Sequence, residues 1–199
     1  DLGYYVSAVK LSEMPYFLPG VIIAGILPFL IRQKKNGITE YQESLTSTYS
    51  FLIWLGVIVY VPMIILSDYL IYFFYGEGYQ VASSVLKLHA FTGIFVFVGV
   101  AYTRHLIIVN KAKLVLIRSV TSLFLNIALN FFFLQKFGVV GAALSTLLTQ
   151  VFVVIISDLF TSQGRFDFLL KVKSINPFYA IKLIPSIISF STKGGNSVK

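Results

Sequence analysis

Residues Leu114–Phe160 read LVLIRSVTSLFLNIALNFFFLQKFGVVGAALSTLLTQVFVVIISDLF, with Arg118, Lys136 and Asp158 as the only formally charged side chains. A helix needs about 20 apolar residues to cross a hydrocarbon core. This stretch holds two such lengths, parted by the polar, turn-forming Gln135-Lys136-Phe137-Gly138. The rest of the chain repeats the pattern. Apolar runs also cover approximately Ala8–Ile31, Tyr49–Ser67 and Leu86–Val109, beside Leu114–Leu134 and Gly138–Phe160. Only helices or closed barrels satisfy their backbone groups in lipid. Barrel strands would be about ten residues long and alternate apolar with polar, and these runs do neither. The expected fold is all-α, a polytopic transmembrane helical bundle of about five spans within residues 1–173, followed by a cytoplasmic or interfacial tail, 174–199.

Composition agrees. Of the 199 residues, 57% are apolar and 12% charged, where soluble domains carry about 25% charged residues. The net charge of +8 does not point to nucleic acid, because the basic residues fall in the connections between apolar runs, as topogenic residues do. Arg32, Lys34, Lys35, Arg104, Lys111, Lys113, Arg118, Arg165, Lys171 and Lys173 fall on one side of the implied topology, against Lys87 and Lys136 on the other. The 32–47, 104–113 and 161–173 segments are therefore expected in the cytoplasm and the N-terminus outside. No cysteine is present, which excludes disulfides and thiol chemistry. His89 and His105 have no partner at ligand spacing, so neither a metal nor a cofactor is expected. Asp1 stands first and a span follows closely, so the chain is expected to be a fragment of a longer protein.

Polar groups inside a bilayer are costly unless partnered and are functional candidates by default. Arg118, Ser122, Asn126 and Asn130 recur every four residues and form one slowly rotating stripe. Such a stripe lines either a water-filled cavity or a helix–helix contact. Arg118, close to the cytoplasmic end, is also placed to snorkel to the interface. Gly141, Ser145 and Thr149 give the next span a small-residue face suited to close helix packing. Lys10 and Glu13 share a helix face in the first span, which also carries Pro15, Pro19 and Pro28. Glu13 is read either as a cavity carboxylate or as the ion-pair partner of Lys10. Asp68, His89 and Asp158 lie near span ends and are expected at the interface. Asp68–Tyr79 (DYLIYFFYGEGY) reads as an outer interfacial segment closed by a Gly76-Glu77-Gly78 turn. The apolar SINPFYAIKLIPSIISF near the end is broken by Pro177, Lys182 and Pro185, so it is expected on or near the cytoplasmic surface, with a sixth span as the alternative. The closing STKGGNSVK is expected to be disordered.

Three strings taken together carry a resemblance: GYYVSAVKLSEMPYFLPGVIIAGILPFL (Gly3–Leu30), YGEGYQVASSVLKLHAF (Tyr75–Phe91) and NIALNFFFLQKFGVVGAALSTLLTQ (Asn126–Gln150). Over roughly Gly3 to Pro177 the chain resembles the C-terminal half of Wzx-type polysaccharide repeat-unit (O-antigen) flippases. These belong to the superfamily of multidrug, oligosaccharidyl-lipid and polysaccharide exporters. The resemblance implies a twelve-helix, MATE-like transporter of two six-helix halves, with the five runs as spans eight to twelve and an N-terminal half as partner. It also implies the bacterial inner membrane, membrane lipid as surroundings and an undecaprenyl diphosphate-linked oligosaccharide as cargo. Lys10, Glu13, Arg118, Asn126 and Asn130 are the residues expected along the substrate cavity. A drug or metabolite antiporter of the same superfamily is one alternative, and a structural membrane subunit another. A third is a membrane enzyme of polysaccharide assembly, which needs acid–base groups clustered on a sizeable loop. The outer connections here are too short for that, so no enzyme is expected.

Overall fold

The computed structural model describes the backbone of residues 2–160 and 162–195 and the side chains of 2–160 and 164–188. Eight α-helices account for nearly all of it: α1 Leu2–Glu13, α2 Phe17–Asn36, α3 Ile38–Ile65, α4 Ser67–Tyr75, α5 Gln80–Ile108, α6 Ala112–Val154, α7 Ser162–Lys173 and α8 Phe178–Gly195. No strand occurs among the described residues. The fold is an all-α polytopic bundle. Four segments are long and apolar enough to cross a membrane: Leu2–Asn36, Ile38–Ile65, Glu77–Ile108 and Ala112–Phe160.

The fourth segment is longer than any one crossing requires, and the structure shows why. Gly138 stands at φ 57° and ψ −141°, outside helical space, a conformation that glycine adopts without Cβ strain. There α6 turns back on itself. Asn126 and Thr149, 23 residues apart, meet side chain to side chain at 3.4 Å, whereas a straight helix would hold them about 34 Å apart. The hairpin is tight. A methyl group at Gly141 would lie 2.0 Å from the Phe133 carbonyl oxygen. The small-residue face expected on this leg is buried at Gly141, Ser145 and Thr149.

The first apolar segment is interrupted rather than continuous. Pro15 sits in a short 3-10 turn, Met14–Tyr16, that joins α1 to α2, as a proline's missing N–H and ring clash dictate inside a helix. Helix α5 is central, packed by α1, α3, α4 and α6. One core gathers Tyr41, Tyr49, Leu52 and Tyr60 of α3 against Phe97 and Ala101 of α5, and a second joins Ala8, Leu11, Val85, Leu86 and Ala143.

The basic connections gather at one end of the bundle. Lys34 donates to the Ile108 carbonyl, and Ser174 Oγ donates to the Thr46 carbonyl at 3.0 Å. At the far end Tyr4 and Tyr79 pack edge to face, their ring centroids 5.1 Å apart, and the expected turn after α4 forms at Gly76 and Glu77–Tyr79. Helix α8 lies along α3, and its Leu183 is buried. The closing STKGGNSVK is helical through Gly195 rather than irregular, and residues 196–199 lie outside the described part.

Candidate substrate cleft and its buried charge network

Between α5 and the two legs of α6 runs a cleft of about 280 Å³, polar on one side through Thr103, Arg118, Ser119, Ser122 and Gln150. The stripe on the first leg faces the second. Asn126 Nδ2 donates to Thr149 Oγ1 at 3.4 Å, and Asn130 Nδ2 donates to Asn126 Oδ1 at 2.9 Å. Arg118 and Ser122 face the cleft, while Asn130 and Asn126 form a hydrogen-bonded ladder along the first leg, which Asn126 joins to Thr149 of the second. Lys10 and Glu13 stand apart from both. They are exposed on α1 and form no ion pair with each other.

At the basic end the cleft closes on a buried charge network. Arg118 Nη1 lies 2.6 Å from Asp158 Oδ1, and Lys171 Nζ lies 2.5 Å from Asp158 Oδ2 and 2.7 Å from the Val154 carbonyl. The Asp158 side chain is 0% exposed, Lys171 8% and Arg118 15%. Both cations also sit over the Tyr102 ring, Lys171 Nζ 3.4 Å and Arg118 Cζ 4.4 Å from its centroid. That ring's negative face favours cations most when water is excluded. Tyr102 in turn donates to Asp167 Oδ2 at 3.3 Å.

A second part of the network centres on His105, whose Nδ1 lies 2.9 Å from the Tyr41 hydroxyl. Its Nε2 stands 3.4 Å from Asp167 Oδ1 without hydrogen-bond geometry. Around these rings two cations, Arg118 and Lys171, face two carboxylates, Asp158 and Asp167. Burying isolated ions would cost several kcal/mol each, which is why both signs are present. Burial pushes the Lys171 ammonium down to about 8, and the Asp158 carboxylate opposes that drop without cancelling it. One part of the network is less saturated. Arg118 spends one N–H on Asp158, and its other N–H groups meet no protein acceptor among the described residues.

Several of these positions differ from the sequence expectation. Asp158 is not interfacial but fully buried, because the α6 hairpin brings Arg118 beside it. Arg118 does not snorkel, since that carboxylate holds it inside. His89 is likewise buried in α5, its Nε2 3.3 Å from the Tyr5 hydroxyl. Asp68 does lie at an exposed end, where Ser83 and Lys87 donate to it and hold its carboxyl below the usual range. Sequence reading passed over Asp167, Tyr41 and Tyr102, gave Lys171 only a topogenic role and left His105 without a partner. The available signal was the spacing Gly164, Asp167, Lys171, Ser174, one face of a helix that is buried throughout.

No protein-family model matches the chain. Over 149 residues, 74% of its length, it is 25% identical to the probable low-salt glycan biosynthesis flippase Agl15 of Haloferax volcanii. The match covers 32% of that protein, so the chain spans about a third of the length of this curated relative. No solved structure matches it.

Proposed function

We propose that the chain is part of a transporter that flips undecaprenyl diphosphate-linked oligosaccharide repeat units across the bacterial inner membrane, for O-antigen or related polysaccharide assembly. The observation that carries this reading is the 25% identity to a glycan flippase along three quarters of the chain. The physical setting is compatible. A glycan crossing a bilayer needs hydrogen-bonding groups where the surroundings are apolar, and Thr103, Ser119, Ser122 and Gln150 line one cleft. A diphosphate needs a cation, and Arg118, with N–H groups beyond the one spent on Asp158, lines that cleft. The work is transport, without covalent chemistry. An N-terminal half would supply the opposite cavity wall in a complete twelve-span assembly, and the basic end would face the cytoplasm.

Proteoliposomes holding the complete transporter, loaded with labelled undecaprenyl diphosphate oligosaccharide, provide the test. Flipping should be lost in Arg118→Gln and retained when an uncharged, unrelated drug is offered in excess. Competition by such drugs, with no movement of the lipid-linked oligosaccharide, would instead make the protein an antiporter. This chain expressed without the N-terminal half should not restore surface polysaccharide to a flippase-deficient strain.

A further inference from the structure

A second cationic pocket lies at the basic end, away from the cleft. Helix α8 leans on α3 and leaves a cavity of about 220 Å³ whose lining includes Ser44, Ser47, Lys173, Tyr179 and Lys182, together with one carboxylate, Glu43. Lys173 and Lys182 stand 5.2 and 5.6 Å from the centroid of the Tyr179 ring, so one aromatic ring gathers both ammonium groups. Lys171, two residues before the first of them, is neutralised by Asp158. Lys173 and Lys182 have no acidic partner among the described residues, and the hydroxyls of Ser44 and Ser47 make no hydrogen bond there. Two free cations and two free donors around one cavity suit a phosphate.

The position of α8 selects the source of that phosphate. Ser50 Oγ donates to the Asn176 carbonyl at 2.9 Å, and Trp54 Nε1 donates to the Ile175 carbonyl at 3.1 Å. The start of α8 is thus level with the middle of α3, a spanning helix, and lies within the depth of the bundle. Ile181, Ile184 and Ile188 follow at steps of three and four and form one exposed apolar stripe. The exposed Val21 and Ile58 of the neighbouring spans face the same surroundings. A soluble phosphate would use the pocket and leave the stripe bare, whereas a phospholipid uses both.

We propose that the pocket between α3 and α8 binds the phosphate of an anionic membrane lipid, held by Lys173 and Lys182, with the lipid's acyl chain along Ile181, Ile184 and Ile188. The test takes the full chain in nanodiscs of phosphatidylcholine with increasing phosphatidylglycerol. Lipids retained on the protein are counted by native mass spectrometry. Wild type should retain phosphatidylglycerol preferentially. A lysine near an anionic surface contributes roughly fivefold in affinity, so Lys173→Gln with Lys182→Gln should cut the preference roughly thirtyfold. Arg165→Gln, an exposed basic residue outside the pocket, should leave it unchanged. Ile181→Ser with Ile184→Ser should lower retention of both lipids and preserve the headgroup preference. Should the lysine pair fail to fold, Glu43→Gln remains informative, because removing the one lining carboxylate should raise the preference. An unchanged preference in the lysine pair or in Glu43→Gln would overturn the proposal, as would an equal loss in Arg165→Gln, the mark of diffuse surface charge. Full displacement of phosphatidylglycerol by millimolar inorganic phosphate would overturn it too, making the pocket a soluble-anion site.

Discussion

Each end of the bundle holds an aspartate between donors. Asp158 accepts from Arg118 and Lys171 with its side chain 0% exposed, and Asp68 accepts from Ser83 and Lys87 with its side chain 73% exposed. The pairings are chemically alike and the lysine distances similar, 2.5 and 2.9 Å. Burial separates them. Water solvates the ions of the outer pair whether or not they meet, so pairing there gains little. At the basic end water is excluded, and each ion of the network is tolerable only because the others are present. The outer pair ties two neighbouring helices, α4 and α5. The buried network ties α5, both ends of the α6 hairpin and the peripheral helix α7.

The comparison is broken most directly at Asp158. Asp158→Asn leaves Arg118 and Lys171 buried without their shared counter-ion and should cost about 3–5 kcal/mol, read as a lowered unfolding midpoint in detergent. A cost no larger than that of the matching change at Asp68 would abolish the distinction.

The pH dependence sharpens it. Lys171 has a folded pKa of about 8, below its ordinary 10.5. The folded state therefore sheds its proton first, and the unfolded chain binds more protons between these values. Stability contributed by this group rises with pH across that window, because below it the buried ammonium is held at a cost. From pH 8 to 10 the wild type should gain about 2 kcal/mol relative to Lys171→Met. A flat difference between the two proteins would show Lys171 to be solvated.

The asparagine ladder of α6 should rank next. Asn126→Ala with Asn130→Ala removes the Asn126–Thr149 link between the legs and the Asn130–Asn126 bond that supports it while keeping good helix formers, and such a link is worth about 1–2 kcal/mol. If the ladder only joins the legs, detergent stability falls and export by the complete transporter survives. If it also serves the translocation route, export falls at normal protein abundance.

The smallest effect belongs to Asp68→Asn. The unfolding midpoint at neutral pH should not move measurably. Its depressed carboxyl adds stability only above the usual carboxylate range, so any wild-type advantage should fade below pH ~4 and shrink further in high salt.

The helical class and the membrane setting were legible in the apolar runs, because a spanning segment must satisfy every backbone N–H and C=O within itself. That demand is local, written in length and composition. The turn near Gly138 was legible for a similar reason, since glycine acts on its own stretch of backbone, whereas the break at Pro15 fell inside a run expected to be one continuous span. The charge network was not. Gly164–Lys173 has the polar look of a surface connection, and Lys171 was counted with the cations of the membrane face. Its burial depends on Asp158, which α6 carries to Arg118, 40 residues away in the chain. Coulomb attraction and desolvation follow distance and water exclusion in space. The sequence by itself therefore determined that this chain is a set of apolar helices. Only the tertiary structure decided which of its charges are surface residues and which are locked inside, because that depends on which helices meet.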